Sequence, residues 1–464
     1  MKTYGVTLNR SMMPAIIGII FGWFLVNSPE GCITPLGVVI LGLGLGVFLI
    51  ARHAFPESRE FIFVFMLALF SRVTLTTVLY LSSFFVRNAY KPGFLFLNDG
   101  YPFSENGWLI LRIYLANVPI KTDFFVSRLS LSGTVSAYDY WNAIVYYFTG
   151  KSPLSIFFFN SAVGALVAVF TFLVAIKIFG RHVAILASFL VAIWPSLNMW
   201  SSQNFKDPLI DLGVITIIFF ILEVFQKKFS TYLFSIAMLS AFILYKFRYH
   251  TALILLASLV IYAFFYAAVK AKLLIKLHPL AGKIMLVILL LFIVCGFMLL
   301  LFKWVLIYDH IANEWNKSFE LWRYILELKS DGNMKLPVAQ LSNGWGMALA
   351  PLTYLVYGFL TPFPWQFPLN LFGIILLIEI ALYYFLFYYF VKGIILAVRN
   401  PGLKMIGFII IFVFLYLIIL GASEGNSGIL LRHRSAVLPF YFMFASYALL
   451  IGQKRKETYA GKKY

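Results

Sequence analysis

Unbroken apolar stretches recur from one end of this 464-residue chain to the other. Each is about 20 residues long, the length an α-helix needs to cross a hydrocarbon core about 30 Å thick. No other feature constrains the fold as much. Soluble domains carry about 25% charged residues. Here 12% of residues are charged and 62% are hydrophobic, with a mean hydropathy of +0.90. That leaves too little polar surface to cover a soluble core of this size. The runs are continuous rather than alternating, which excludes a transmembrane β-barrel. The chain reads as an all-α polytopic membrane protein.

Apolar length gives about twelve spans, at roughly 12–27, 34–52, 60–86, 154–178, 183–200, 208–225, 230–247, 250–268, 284–307, 369–393, 403–421 and 436–452. Basic residues favour cytoplasmic loops. With the N-terminus inside, the inner segments collect Lys2, Arg10, Arg52, Arg59, Lys177, Arg181, Lys227, Lys228, Lys270, Lys272, Lys276, Lys283, Lys392, Arg399, Lys404 and the Lys454-Arg455-Lys456 tail. The short outer loops hold only Lys206, Lys246, Arg248, Arg432 and Arg434. Both termini are therefore expected in the cytoplasm, with the protein in the plasma (inner) membrane. The net charge of +19 follows this pattern and suits an anionic leaflet rather than nucleic acid. Lys2 and Arg10 before an apolar run resemble a signal peptide, but a second span follows at once, so an uncleaved first helix is expected. Cys32 and Cys295, the two cysteines, are too few for a zinc cluster.

The organisation that follows is two N-terminal spans (1–56), a helical core (57–307), a second outer loop (308–368), the C-terminal spans (369–452) and a basic tail (453–464). Segment 347–363 is apolar enough to span, but counting it would put Lys392, Arg399 and Lys404 outside. It ends in Thr361-Pro362-Phe363-Pro364-Trp365, where prolines break a helix, so it reads as re-entrant or interfacial. The two long outer loops, 87–153 and 308–368, mix aromatics with charges. Within them 105–116, 137–148 and 311–328 read as amphipathic helices lying on the membrane.

Nearly every unusual polar residue falls on the expected outer face: Asp99, Glu105, Lys206, Asp207, Asp211, Arg248, His250, Arg432, His433 and Arg434. Outer loops hold polar residues simply because water is there. A carboxylate and a basic cluster at headgroup depth also suit one chemistry. Arginine forks bind phosphate oxygens. A carboxylate takes the proton of a hydroxyl attacking a sugar carbon, and cations stabilise charge growing on a leaving phosphate. Asp99, in the loop Asn98-Asp99-Gly100-Tyr101-Pro102-Phe103-Ser104-Glu105, is the candidate base. Asp before Gly is also a common turn pair. Glu105 is the alternative base, or a helix-start charge answering the dipole.

Several elements, in order, resemble the bacterial members of the GT-C glycosyltransferases, the superfamily of protein O-mannosyltransferases and of the aminoarabinose transferase of lipid A. They are Asp99-Gly100-Tyr101, Tyr146-Tyr147-Phe148-Thr149-Gly150, Asn160-Ser161-Ala162-Val163-Gly164-Ala165, Ile178-Phe179-Gly180-Arg181, Trp194-Pro195-Ser196, Pro362-Phe363-Pro364-Trp365, Asn426-Ser427-Gly428 and Arg432 to Pro439. The resemblance covers residues 60 to 450. It implies a GT-C-like helical core, an acidic loop after the first core helix, and a polyprenyl-phosphate-linked sugar donor. The acceptor it implies is a glycan, a lipid or a protein. The chain departs from the pattern in lacking an adjacent acidic pair, since Gly100 follows Asp99. Two extra spans precede the core, and there is no Trp-Trp-Asp or Asp-x-Asp motif, so neither a metal nor a cofactor is indicated.

Arg432, Arg434 and His433 are candidate donor-phosphate ligands, with headgroup anchoring as the plainer role. Lys206 and Arg248 join them; Lys206-Asp207-Pro208 equally reads as a helix start. Arg72 and Glu379 lie inside apolar spans, where charge is costly, and are expected to pair or to line the lipid-phosphate groove. Two other readings stay open: a flippase for a lipid-linked glycan, and an O-antigen polymerase or ligase.

Overall fold

The computed structural model describes residues 59–85, 94, 100–116, 135–226, 231–277, 344–366, 371–400, 405–424 and 426–460. The expected spans 12–27, 34–52 and 284–307, the amphipathic segment 311–328 and Asp99 lie outside the described residues. The described chain is built from helices, with no strand among the described residues. It divides into two compact units. One comprises Met1–Tyr249, Phe385–Leu403 and Ser435–Tyr464; the other comprises His250–Tyr384 and Lys404–Arg434.

Nine of the expected spans fall on described residues. Seven helices there are long and apolar enough to cross a membrane: Glu60–Ser82, Pro153–Phe179, Asp207–Phe225, Thr231–Ala267, Leu376–Val398, Ile406–Ser423 and Ser427–Ile451. A bent pair, Arg181–Ile193 with Pro195–Ser201, makes a possible eighth. The difference of one lies in 230–268, counted there as one length but made of two helices that meet at a kink. At the kink Arg248 leaves helical dihedral angles, at φ −157° and ψ 75°; this is the expected break between spans 230–247 and 250–268.

The first unit is ordered α1 (Arg59–Ser82), α2 (Gly100–Leu115), α3 (Ala137–Thr149), α4 (Pro153–Phe179), α5 (Arg181–Ile193), α6 (Pro195–Ser201) and α7 (Asp207–Phe225). It also takes the start of α8 (Thr231–Leu277), the end of α10 (Leu371–Val398) and α13 (Leu438–Ala460). α4 is the central helix: it packs on α1, α5, α7 and α13, and most of its side chains are buried. Its boundaries are written in the sequence. Pro153 starts it, where a missing N–H costs nothing. Gly180, at φ +90°, ends it in a conformation that side chains rarely adopt. α5 stops because Pro195 drives Trp194 into extended backbone (ψ 123°), and the chain bends by 57° into α6.

At one end of this unit Arg181 pairs with Glu60, and Lys177 with Glu223 at 2.5 Å. These join the start of α1, the α4–α5 junction and the end of α7. The opposite end, where α2, α3, the 201–206 loop and the start of α7 meet, is the polar end. On the far side of the bundle α10 lies backbone to backbone on α13, because Gly393 has no side chain: a Cβ there would stand 2.0 Å from the Phe444 carbonyl oxygen.

The second unit contains α9 (Gly344–Leu360), the 3₁₀ turn Pro364–Gln366, α11 (Ile406–Ser423) and α12 (Ser427–His433). α9 and α11 run antiparallel in glycine-mediated contact. A Cβ at Gly358 would reach the Leu417 carbonyl at 2.3 Å, and one at Gly421 the Tyr354 carbonyl at 2.0 Å. Such small-residue contacts let membrane helices approach closely. Segment 347–363 is thus a helix of 17 residues followed by the expected proline-bounded turn.

Candidate functional site

The polar end of the first unit is built around a five-residue loop, Ser202 to Lys206, between α6 and α7. Backbone polar groups in so apolar a setting need partners, and conserving space for them falls to asparagine and tyrosine side chains. Asn160 Nδ2 donates to the carbonyls of Gln203 (2.8 Å) and Phe205 (2.9 Å). The Tyr138 hydroxyl donates to the Phe205 carbonyl at 2.9 Å. Asn204 Nδ2 donates to the Gly100 carbonyl (2.8 Å) and to Asn142 Oδ1 (2.9 Å). α4, α3 and α2 therefore each grip the same loop. α2 sits close against α3 because residue 107 is glycine; a Cβ there would lie 2.5 Å from Asn142 Cβ.

The loop delivers two buried carboxylates, Asp207 and Asp211, spaced by four and so on one face of α7. Arg248 Nη2 donates to Asp207 Oδ1 at 2.7 Å, from the one residue at which α8 breaks. The Ser435 hydroxyl donates to Asp211 Oδ1 at 2.9 Å. Arg248 and Arg72 both lie near enough to Asp211 to act on it electrostatically. A third buried carboxylate, Asp139, opens α3. Its Oδ2 accepts from the Ser136 backbone N–H at 2.6 Å and from the Ser136 hydroxyl at 3.0 Å. Burial raises its carboxyl above the usual range, against the bonds from Ser136 and Asn106 and the charge of Lys206, which favour the ionised form. Nearby, Tyr146 shares a 2.5 Å hydrogen bond with Ser104, and burial raises its phenol.

The expected site residues separate into two groups. Lys206 and Arg248 come to this polar end, with Lys206 just before α7. Glu105 lies on α2, half-exposed and 2.9 Å from Lys151, whose ammonium also stands 5.8 Å from the centre of the Trp108 ring. Asp99 lies outside the described residues; its neighbour Gly100 is the residue held by Asn204. Arg432, His433, Arg434 and Glu379 belong to the second unit. There Arg434 Nη1 donates to the carbonyls of Phe359 and Thr361, both at 2.7 Å, and its guanidinium stacks 4.1 Å from the centre of the Tyr383 ring. His433 Nδ1 faces Glu424 at 3.0 Å, and its carbonyl accepts from the Tyr416 hydroxyl. Arg432 and Glu379 are both buried.

The Arg72 guanidinium is met by main-chain carbonyls: Ala68 and Ala192 at 3.0 Å and Val191 at 3.1 Å. The last carbonyls of α5 lose their helical partners at the Trp194–Pro195 break, and Arg72 supplies the donors. Gly164 makes room for it, since a Cβ there would lie 2.6 Å from Arg72 Nε. Asp139, Asn142 and Asn204 were not among the expected site residues, and Asn160 entered only within the run Asn160 to Ala165. The run Ser201-Ser202-Gln203-Asn204 between apolar helices, and the capping pair Ser136 and Asp139, are the signals that mark them.

Comparisons with protein-family models, with curated proteins and with solved structures found no match to this chain.

Proposed function

We propose that the chain is an inverting glycosyltransferase using a polyprenyl-phosphate-linked sugar, with Asp99 as general base. The observation that carries the reading is the bond from Asn204 to Gly100. It ties the residue following Asp99 to the loop that presents Lys206 and the buried carboxylates. Gly100 and a cation, Lys206, thus belong to one polar corner, which supports a reading in which the residue before Gly100 acts there. In the reaction, Asp99 takes the proton of the acceptor hydroxyl. The freed oxygen bonds to the anomeric carbon as the carbon–oxygen bond to phosphate breaks. The leaving lipid phosphate carries away the negative charge, which Lys206 offsets.

The pairing of Glu105 with Lys151 favours Asp99 over Glu105 as base. Arg248, committed to Asp207, acts in this reading as a positioning residue. The reading places the site on the outer face of the plasma membrane, with cytoplasmic termini. The acceptor is a glycan, a lipid or a protein.

The test is mass spectrometry of surface glycans in a deletion strain carrying wild type, Asp99→Asn or Glu105→Gln at equal expression. A sugar lost on deletion and restored by wild type and Glu105→Gln, but not by Asp99→Asn, is the expected result. Full restoration by Asp99→Asn removes it as the base.

A further inference from the structure

Asp139 is a buried carboxylate that the proposed transfer chemistry leaves without a task. Its surroundings follow from the register of α3 on the loop before α7. The Tyr138 hydroxyl donates to the Phe205 carbonyl at 2.9 Å, and Asn142 Oδ1 accepts from Asn204 Nδ2 at 2.9 Å. Tyr138 and Asn142 are one turn apart, so one face of the start of α3 is tied to loop residues 204 and 205. Asp139 stands between them and shares that face with Asn142. The next loop residue is Lys206, whose charge acts on the Asp139 carboxylate.

The two groups differ in access. Asp139 is 1% exposed, whereas Lys206 is partly exposed just ahead of α7. An anion arriving at the corner therefore reaches the ammonium and not the carboxylate behind it. Among the described residues, the elements around Asp139 present neutral groups or charges paired elsewhere. α2 brings the Asn106 amide, and its Glu105 is 2.9 Å from Lys151. α4 brings Asn160, bonded to the Tyr138 hydroxyl at 3.1 Å. α7 and α8 pair Asp207 with Arg248, and α8 sets the Phe247 ring against Tyr138. Ser136 fixes Asp139 Oδ2 through its N–H and its hydroxyl. A phosphate that docks on Lys206 thus brings a like charge to a carboxylate that cannot move away, and a like charge favours the protonated form. Burial already acts in the same direction.

We propose that Asp139 is the charge partner of Lys206, holding the ammonium in the empty site, and that a phosphate diester binding at Lys206 displaces it, the carboxylate taking up a proton from water. This rests on the proposed role of Lys206 at the donor phosphate. Asp139 touches no substrate and is a positioning residue. The probe is a short-chain polyprenyl methyl phosphate, a diester whose single charge does not change over the range tested. Its binding to the full-length protein in nanodiscs is measured from about pH 5 to about pH 9, below the lysine range, with empty nanodiscs subtracted. One proton taken up weakens binding by up to about tenfold per pH unit. Wild type is expected to show such a fall. Asp139→Asn is expected to bind independently of pH, and more tightly than wild type at the alkaline end. Lys206→Met is expected to bind weakly and without the fall. Ser136→Ala loses a cap bond but keeps the carboxylate, so it keeps the fall.

Should Asp139→Asn fail to fold, calorimetry in buffers of different ionisation enthalpy reads the proton directly: uptake in wild type, none in Lys206→Met. A pH-independent wild type overturns the inference, as does an equal fall in Asp139→Asn or weaker binding by that variant at every pH. Loss of the fall in Ser136→Ala overturns it too, the helix cap then being what matters. The two readings fail separately. Lys206-dependent binding without an effect of Asp139 sinks this inference alone. Binding indifferent to Lys206 sinks it together with the part of Lys206 in transfer, while the dependence of surface glycans on Asp99 decides the enzyme by itself.

Discussion

Arg248 Nη2 stands 2.7 Å from Asp207 Oδ1, and the two side chains are 9% and 0% exposed. Removing one partner of a buried ion pair leaves the other charged and unanswered, at a cost of about 3–5 kcal/mol. Arg248→Ala is therefore expected to lower the Tm in detergent strongly. The double variant Asp207→Asn with Arg248→Ala should recover more than half of the loss. A wild-type Tm in the single variant would show that the pair contributes nothing to folding.

Asp139 makes a prediction with a definite sign. Burial holds its carboxyl above the ordinary range, so the folded protein binds this proton more tightly than the unfolded chain does. Its contribution to stability is complete below the unfolded carboxylate value of about 3.9. It is lost as pH rises through the higher folded value. Asp139→Asn keeps an acceptor for Ser136 and removes the titration. The Tm of wild type minus that of the variant should fall as pH rises above about 4. A difference that rises with pH would contradict the burial argument.

Arg434 is where a structural role and a ligand role diverge. Its guanidinium closes the end of α9 through two carbonyls and covers Tyr383. Lysine cannot reproduce a forked donor set. Arg434→Lys and Arg434→Ala should both lose stability, by about 2–3 kcal/mol for charged hydrogen bonds of this kind. The measurement is Tm beside donor KM. A raised KM at unchanged Tm would return Arg434 to the phosphate.

Gly393→Ala puts a methyl 2.0 Å from the Phe444 carbonyl oxygen, a backbone atom that cannot turn aside. Overpacking of this kind costs about 1–3 kcal/mol. Gly180→Ala, where nothing lies within 4 Å but φ is +90°, is the control for backbone strain alone. The expected order of Tm is wild type, then Gly180→Ala, then Gly393→Ala; equal values for the last two would remove the close-packing argument.

The spans were legible because apolar length is a one-dimensional property: α1, α4, α7, α10 and α11 fall within a few residues of the runs that announce them. So were α2 and α3, whose aromatic spacing separates an exposed face from a buried one. The break at Arg248 was legible too, falling between the runs 230–247 and 250–268. Its partner was not: Asp207, buried against Arg248, is 41 residues away along the chain. The role of Arg72 was hidden for a similar reason. Its partners are carbonyls, and carbonyls leave no mark in a sequence. Asn142, Asn160 and Asn204 act through contacts between segments far apart along the chain, so the local run that marks the 202–206 loop does not reveal its partners.

The capping of α5 by Arg72 also separates the two halves of one contact in time. A lone guanidinium at the centre of a membrane helix costs about 2.5–3.5 kcal/mol on insertion. Its partner Ala192 is made 120 residues later. At about 5–20 residues per second, some seconds pass in which only Ala68 of its own turn can answer the cation. Ribosome-stalled chains ending before Val191 should accordingly leave α1 extractable, and chains long enough to expose α5 should hold it fast. The residue that closes a broken helix in the finished protein is, during translation, the one that delays the first core helix until its neighbour arrives.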